Sequence, residues 1–349
     1  MDRTPLDVPR LSAAAQRALG AGPGRMMAAR GLMPLPPADQ VCVLYQLALD
    51  TDTTLASTAR ATAANLPDKV LAGALADAKL DPRVLDLFAA LAGKRPAVFD
   101  ALVQNPAIAD DTIAVLAEHG GARECELIAT NEQRLLRQPA IIGALYQNKQ
   151  ARMSTVDRAV ELAVRNNVRV PGLAAWDEIA RALQGAPPVT PADDELFARE
   201  RFDDGELGDD EANDPRKDDD KYKDEDFPWG EIPMKVKIRM AATGSAKRRM
   251  EALRDPKSSL AMIAVKSQKR FKDSEIEKIA SSHVVNDDVI RHIAGNSEFT
   301  KAYSVKIALC RNPKTPIANA ANLLMHLHER ELNAIATSRN IPSAMSVEP

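Results

Sequence analysis

Repeatedly along this chain an apolar residue is followed three positions later by a second apolar residue and then at once by alanine. Seven such copies are Phe88/Leu91/Ala92, Ile113/Leu116/Ala117, Cys125/Ile128/Ala129, Leu260/Ile263/Ala264, Ile276/Ile279/Ala280, Ile290/Ile293/Ala294 and Leu332/Ile335/Ala336. Positions i, i+3 and i+4 share one face of an α-helix, so the pattern predicts helices. In the C-terminal third the alanines, with Ala308 of a variant copy, step by 16, 14, 14 and 28 residues. A unit near 14 residues holds a helix of about two to three turns and a connection of about four residues. An isolated helix that short is marginal in water, so each must gain its order by lying against its neighbours. Alanine beside two larger side chains lets the next helix approach closely.

The expected helix ends carry their own marks. Asn105, Asn131, Asn148, Asn312 and Asn340 stand where units close, and asparagine tolerates the left-handed conformation of a helix terminus. Proline follows at Pro106, Pro313 and Pro342. Thr315-Pro316 reads as a helix start, the hydroxyl capping a first-turn amide and proline taking the first helical position. The apolar face that follows is Ile317, Ala320, Ala321, Leu324 and Leu327.

Asn105-Pro106-Ala107-Ile108-Ala109-Asp110 leading into Ile113-Ala114-Val115-Leu116-Ala117, and Arg311-Asn312-Pro313-Lys314-Thr315-Pro316, resemble leucine-rich-repeat-variant and HEAT-like α-solenoids. The C-terminal third, and Ile128 through Arg158, are also similar to an uncharacterised family of bacterial helical-repeat proteins. The resemblance covers about half to two-thirds of the chain. It implies an α-solenoid fold and carries no catalytic residues.

A chain of 349 residues exceeds one compact core and suits two domains. The expected class is all-α, an α-solenoid of short helical repeats in two arrays joined by a disordered acidic linker. Residues 1–35, with Pro5, Pro9, Pro23 and Pro34, are expected to be a flexible arm with two short helices, near Leu11–Leu19 and Arg25–Arg30. The first array covers 36–184, opening at Pro36-Pro37-Ala38-Asp39. The linker covers 185–233, and the second array 234–345. Charge follows this division: residues 1–190 carry 20 basic and 20 acidic side chains, 191–231 carry 6 and 18, and 232–349 carry 20 and 11. The second array is therefore basic and the linker strongly acidic.

No phosphate-binding glycine loop, dinucleotide fingerprint, nucleophile elbow or His-Glu-x-x-His helix is present, so those enzyme classes are excluded and no catalytic, cofactor or metal site is assigned. His326 and His328, the only close pair among five histidines, are two apart and on a helix would face different ways. Cys42, Cys125 and Cys310 are too scattered for a metal or disulfide framework, which fits a reducing cytoplasm. No run of about 18 apolar residues suggests membrane insertion.

The concentrated feature is cationic: Lys235, Lys237, Arg239, Lys247, Arg248, Arg249, Lys266, Lys269, Arg270 and Lys272. On successive short helices these side chains line one edge and present positive charge to phosphates or an acidic protein. Phe271 is the only aromatic among them, which argues against base stacking. The acidic linker is placed to fold back on that edge as a latch. Arg134 and Arg137, one turn apart, are expected to pair with carboxylates, and Phe227 and Trp229 to pack on the first helix of the second array. The function expected is a non-enzymatic scaffold binding protein segments, with a nucleic acid or other anionic polymer as the alternative ligand.

Overall fold

In the computed structural model, residues 4–92, 95–199, 227–267 and 271–336 are described, and they form twenty-two α-helices with no strand among them. They divide into two compact units at Ala151/Arg152. The first contains α1 (Ala13–Leu19), α2 (Gly24–Ala29), α3 (Pro37–Ala48), α4 (Thr53–Asn65), α5 (Asp68–Leu75), α6 (Pro82–Ala92), α7 (Pro96–Gln104), α8 (Asp110–His119), α9 (Ala122–Ala129), α10 (Glu132–Arg137) and α11 (Ala140–Gln147). The second contains α12 (Met153–Arg165), α13 (Trp176–Leu183), α14 (Pro191–Arg199), α15 (Met234–Thr243), α16 (Ala246–Leu253), α17 (Ser258–Ser267), α18 (Asp273–Ser281), α19 (Asp287–Gly295), α20 (Tyr303–Arg311), α21 (Ile317–Leu324) and α22 (Glu329–Ala336).

The apolar-apolar-alanine faces are the core faces. Every member whose burial is described is buried except Leu91, Leu116 and Leu332, which are half-buried. Ala92, Ala117 and Ala280 are fully enclosed. Helices pack on near neighbours in sequence: α5 on α7, α8 on α11, α15 on α17, α17 on α19, α18 on α20 and α20 on α22. Except for α8 and α11, which have two helices between them, these are alternate helices that meet across the one between them, so the 14-residue step counts single helices while these pairings span two.

Asparagine joins three of these helix pairs through its side chain. Asn105, following α7, donates from Nδ2 to the carbonyls of Leu75 (2.7 Å) and Asp77 (3.0 Å) at the end of α5, and its Oδ1 accepts from Ala107 N–H (2.8 Å). Asn148, following α11, donates to Ala117 (2.8 Å) and Gly120 (2.7 Å) at the end of α8 and accepts from Gln150 N–H. Asn312, following α20, donates to Ala280 (2.7 Å) and Ser282 (3.1 Å) at the end of α18 and accepts from Lys314 N–H. A helix leaves its last carbonyls without intrahelical partners, and one carboxamide satisfies two of them while closing its own turn. Asp255, after α16, varies the device: Oδ1 accepts from Lys257 N–H (2.8 Å) and Oδ2 from Trp229 Nε1 (2.7 Å). A carboxylate only accepts, so an indole N–H stands where the asparagines meet carbonyls.

The backbone corrects the reason for asparagine at these sites. Asn105, Asn148 and Asn312 have φ of −69°, −72° and −88° with extended ψ, so no left-handed residue is required. Asn131 instead caps the start of α10, accepting from Arg134 N–H, and Asn340 lies outside the described residues. At Thr315-Pro316 proline is the cap residue, while the Thr315 hydroxyl donates backward to Leu309 C=O (2.7 Å). The buried side chains beyond it are Ala320, Leu323 and Leu327, and Ile317 is exposed.

The expected arm is part of the first unit. Tyr45 Oη donates to Thr4 C=O (2.8 Å), Leu6 N–H donates to Gln46 Oε1 (2.8 Å), and Leu6, Ala15, Ala18, Ala28 and Ala29 are buried. Local composition marked this stretch as loose, and contacts made some 40 residues along the chain hold it. Residues 152–184, assigned from sequence to the first array, lie instead in the second unit, where α13 packs on α15 and α17. Both ends of the expected linker are structured. α14 occupies 191–199, and Phe197, Ile232 and half-buried Val189, Leu196 and Trp229 join one apolar cluster with Met153, Val236 and Met240. The acidic runs between 200 and 226, and with them the expected latch, lie outside the described residues.

Replacing Asn312 by alanine removes three hydrogen bonds and leaves two carbonyls without their donor, which should lower stability by about 2–3 kcal/mol. Asn312→Asp is the sharper test, because an isosteric carboxylate sets oxygen against oxygen and should cost more than alanine at neutral pH. Urea unfolding of both variants compares them directly. Ala280→Leu, at a fully enclosed site, should overpack the α18/α20 contact at a cost of about 1–3 kcal/mol by the same measurement.

Candidate partner-binding surface

Three of the predicted cations, Lys235, Arg239 and Arg248, are buried rather than set along an open edge. α15 begins after Pro233 and carries Lys235, Lys237 and Arg239 at alternate positions. Successive odd positions on a helix point about 200° apart, so Lys235 and Arg239, four residues apart, share one face and Lys237 takes another. Lys235 is buried, with Nζ 2.8 Å from both Asp157 Oδ2 and Glu161 Oε1 of α12. Arg239 is buried with its guanidinium 4.0 Å from the Phe197 ring centroid and Nη1 3.4 Å from Met153 Sδ. Lys237 lies 5.5 Å from the centroid of the Trp229 ring.

The remaining predicted residues divide similarly. Arg248 is buried, donating to Glu251 Oε2 (2.9 Å) and Phe227 C=O (3.1 Å). Arg249 donates to Gly244 C=O (2.8 Å). Lys266 pairs with Glu178 of α13 at 2.7 Å. Lys247 and Lys272 are exposed, and Lys269 and Arg270 lie outside the described residues. A formal positive excess thus includes several cations committed to internal carboxylates, carbonyls and rings.

Burial sets the proton affinities here. Burial alone draws the Lys235 ammonium down, but its hydrogen bonds to Asp157 and Glu161 outweigh that and leave its pKa above the ordinary lysine value. Burial pushes Asp157 above the ordinary carboxyl range, and Lys235 offsets this only in part. His292 is held below the usual imidazole value by burial first and then by Lys266, while its ring sits 6.1 Å from Phe299, itself 5.9 Å from Phe271. The structure therefore brings one ring, Phe299, to Phe271, with His292 on Phe299 in turn, which its sequence surroundings did not reveal. His326 and His328 lie in the turn between α21 and α22, not in one helix, and the His328 ring is 5.0 Å from Tyr303. Among the described residues no group of three or more His, Cys, Asp or Glu is placed to hold a metal.

In the first unit, Arg137 holds Asp110 through two hydrogen bonds of 2.7 Å. Arg134 is buried and does more than pair: it donates to Val103 (2.9 Å) and Asn105 (3.3 Å) carbonyls at the end of α7. These arginines join helices and are not an open anion site.

The open feature lies between α18 and α20. A half-open groove of about 330 Å³ is lined by Glu277, Ser281, His283, Ser304, Ile307 and Arg311, among others. Its edge is formed by the turns 282–286 and 312–316, tied together by Asn312 to Ser282 and by Lys314 Nζ to Val285 C=O (2.7 Å). Val284 is 67% exposed in the first of these turns, and Ile317, just beyond the second, is 52% exposed. Met325, at the far end of α21, is 76% exposed. Sequence reasoning assigned Ile317 to the core and passed over Val284, because a helical period does not report which residue a turn turns outward.

Removing the buried Lys235 ammonium tests its pairing with half-buried Asp157 and exposed Glu161. A raised Asp157 pKa means that the native state keeps this proton longer than the unfolded chain, so the group's contribution favours folding at low pH and is lost as pH rises through the raised value. Lys235→Met should therefore cost about 3 kcal/mol at neutral pH, and the gap to the parent protein should narrow below the raised Asp157 pKa, as urea midpoints at pH 7 and pH 4 would report.

Compared with known protein families, curated proteins and solved structures, the chain has no match.

Proposed function

We propose that the protein is a non-enzymatic helical-repeat scaffold that binds a segment of another protein on the α18/α20 side of its second unit. The observation that carries this reading is the exposure of Val284, in one of two hydrogen-bonded turns beside the polar groove, and of Ile317, the first residue of α21 after the other. Large apolar side chains presented at one edge favour a protein partner, whose own apolar residues remove them from water. The groove supplies the polar complement, with Arg311, itself 3.0 Å from Glu331, beside Ser281 and Ser304. Short helices that rest on sequence neighbours form an extended surface that suits such a segment, which is the use the α-solenoid reading implies.

The anionic-polymer alternative draws on the basic balance of residues 232–349. Its weight falls because Lys235, Arg239, Arg248 and Lys266 are engaged inside the unit. Phosphate neutralisation demands cations that exchange bound counterions, and an internally paired ammonium releases none.

Val284→Asp/Ile317→Asp should abolish capture of the protein partner by the full-length chain while leaving its helical circular dichroism unchanged. Binding of the captured partner should change little between about 50 and 200 mM salt. A steep fall across that range, with capture unaffected by the two substitutions, would transfer the assignment to a polyanion.

A further inference from the structure

α14 belongs to the second unit, yet its attachment is narrow. Of its nine residues only Asp193 and Phe197 are buried, and its principal helix contact is α12. It begins with its own closure, since Thr190 N–H and Oγ1 both donate to Asp193 Oδ2 (2.7 and 2.9 Å). Two side chains one turn apart then reach outward. Asp194 accepts from Ser154 N–H (2.8 Å) and Oγ (2.7 Å), and so caps α12, whose own cap residue, Arg152, makes no capping hydrogen bond. Phe197 enters the cluster of Met153, Val236 and Met240 and covers the Arg239 guanidinium.

We infer that α14 is an internal occupant of a docking groove between α12 and α15, and that the groove accepts in its place a short helix from a partner protein carrying an acidic residue three positions before an aromatic one. The chemistry of that partner is read from the segment seated there. A carboxylate meets the Ser154 amide and hydroxyl at the start of α12, where the helix dipole also favours an anion. An aromatic ring fills the apolar socket and stacks on a cation. Exchange is feasible because the guanidinium regains water when the ring leaves, which offsets part of the lost apolar contact. Bound in place, α14 makes the site self-blocked, and only a ligand with higher affinity for the open groove shifts the balance.

This inference rests on the protein-binding reading but uses a different surface, and its test is separate. In hydrogen exchange of the full-length protein, amides of α14 should exchange at least about tenfold faster than those of α15 and α17, as expected of an element that opens locally. A labelled peptide of residues 189–199 should bind full-length Phe197→Ala at least about tenfold more tightly than the parent protein, and the same peptide with Asp194→Asn or Phe197→Ala should not bind. Equal protection of α14 and α15 would overturn the inference, as would a folded Phe197→Ala protein that ignores the peptide. If Phe197→Ala does not fold, the exchange rates of the parent protein decide alone. A partner that still depends on Val284 and Ile317 while α14 stays fully protected would defeat this inference and leave the proposed scaffold function standing.

Discussion

A carboxamide can give two hydrogen bonds and receive one from a single small rigid group, and three of the helix pairings depend on that capacity. Each short helix ends with carbonyls that no residue of its own can satisfy. Asn105, Asn148 and Asn312 donate to such carbonyls in the preceding packed helix and accept from an amide two residues ahead. All three are buried, where an unmade hydrogen bond is expensive. The contact therefore sets the spacing and register of the helices as well as binding them. The alanine faces allow close approach, and the asparagines specify which helix ends approach.

Charge is used in the same economical way. Cations that form one crowded run in sequence separate by helical phase into inward and outward groups. Lys235 meets two carboxylates of α12, Lys266 meets Glu178, and Arg239 lies under Phe197. Such buried pairs add little net stability, because desolvation opposes the Coulomb attraction, but leaving either partner alone is costly. Their effect is to specify that α12 to α14 lie against α15 and α17 and nowhere else. The outward surface is left with fewer uncommitted cations than the composition suggests, and the apolar residues on the turns become its distinctive feature.

The pairing of α18 with α20 has consequences for binding. Hydrogen bonds that Val284 and Ile317 do not themselves make tie the turn that holds Val284 to the turn that precedes Ile317. The groove between α18 and α20 arises from the same pairing. α14 illustrates the complementary case, an element joined to the core by Phe197, half-buried Leu196 and the cap that Asp194 makes on α12.

Helical state was legible in the sequence because it is local: a side-chain period and capping residues are visible within a dozen positions, and the start of α3 at Pro37 and the buried faces of α17, α18 and α19 follow from them. The candidate surface was legible only in part. A cation count identified the basic region but not the inward direction of Lys235, whose partner Asp157 lies 78 residues earlier, and no local signal marked Val284. The chain alone therefore established short amphipathic helices that need neighbours. Which neighbours they obtain was settled by packing, because the reach of Asn312 to Ala280, the capping of α12 by Asp194 and the placement of residues 152–199 in the second unit each depend on distant segments meeting, and a periodic pattern contains no information about distance along the chain.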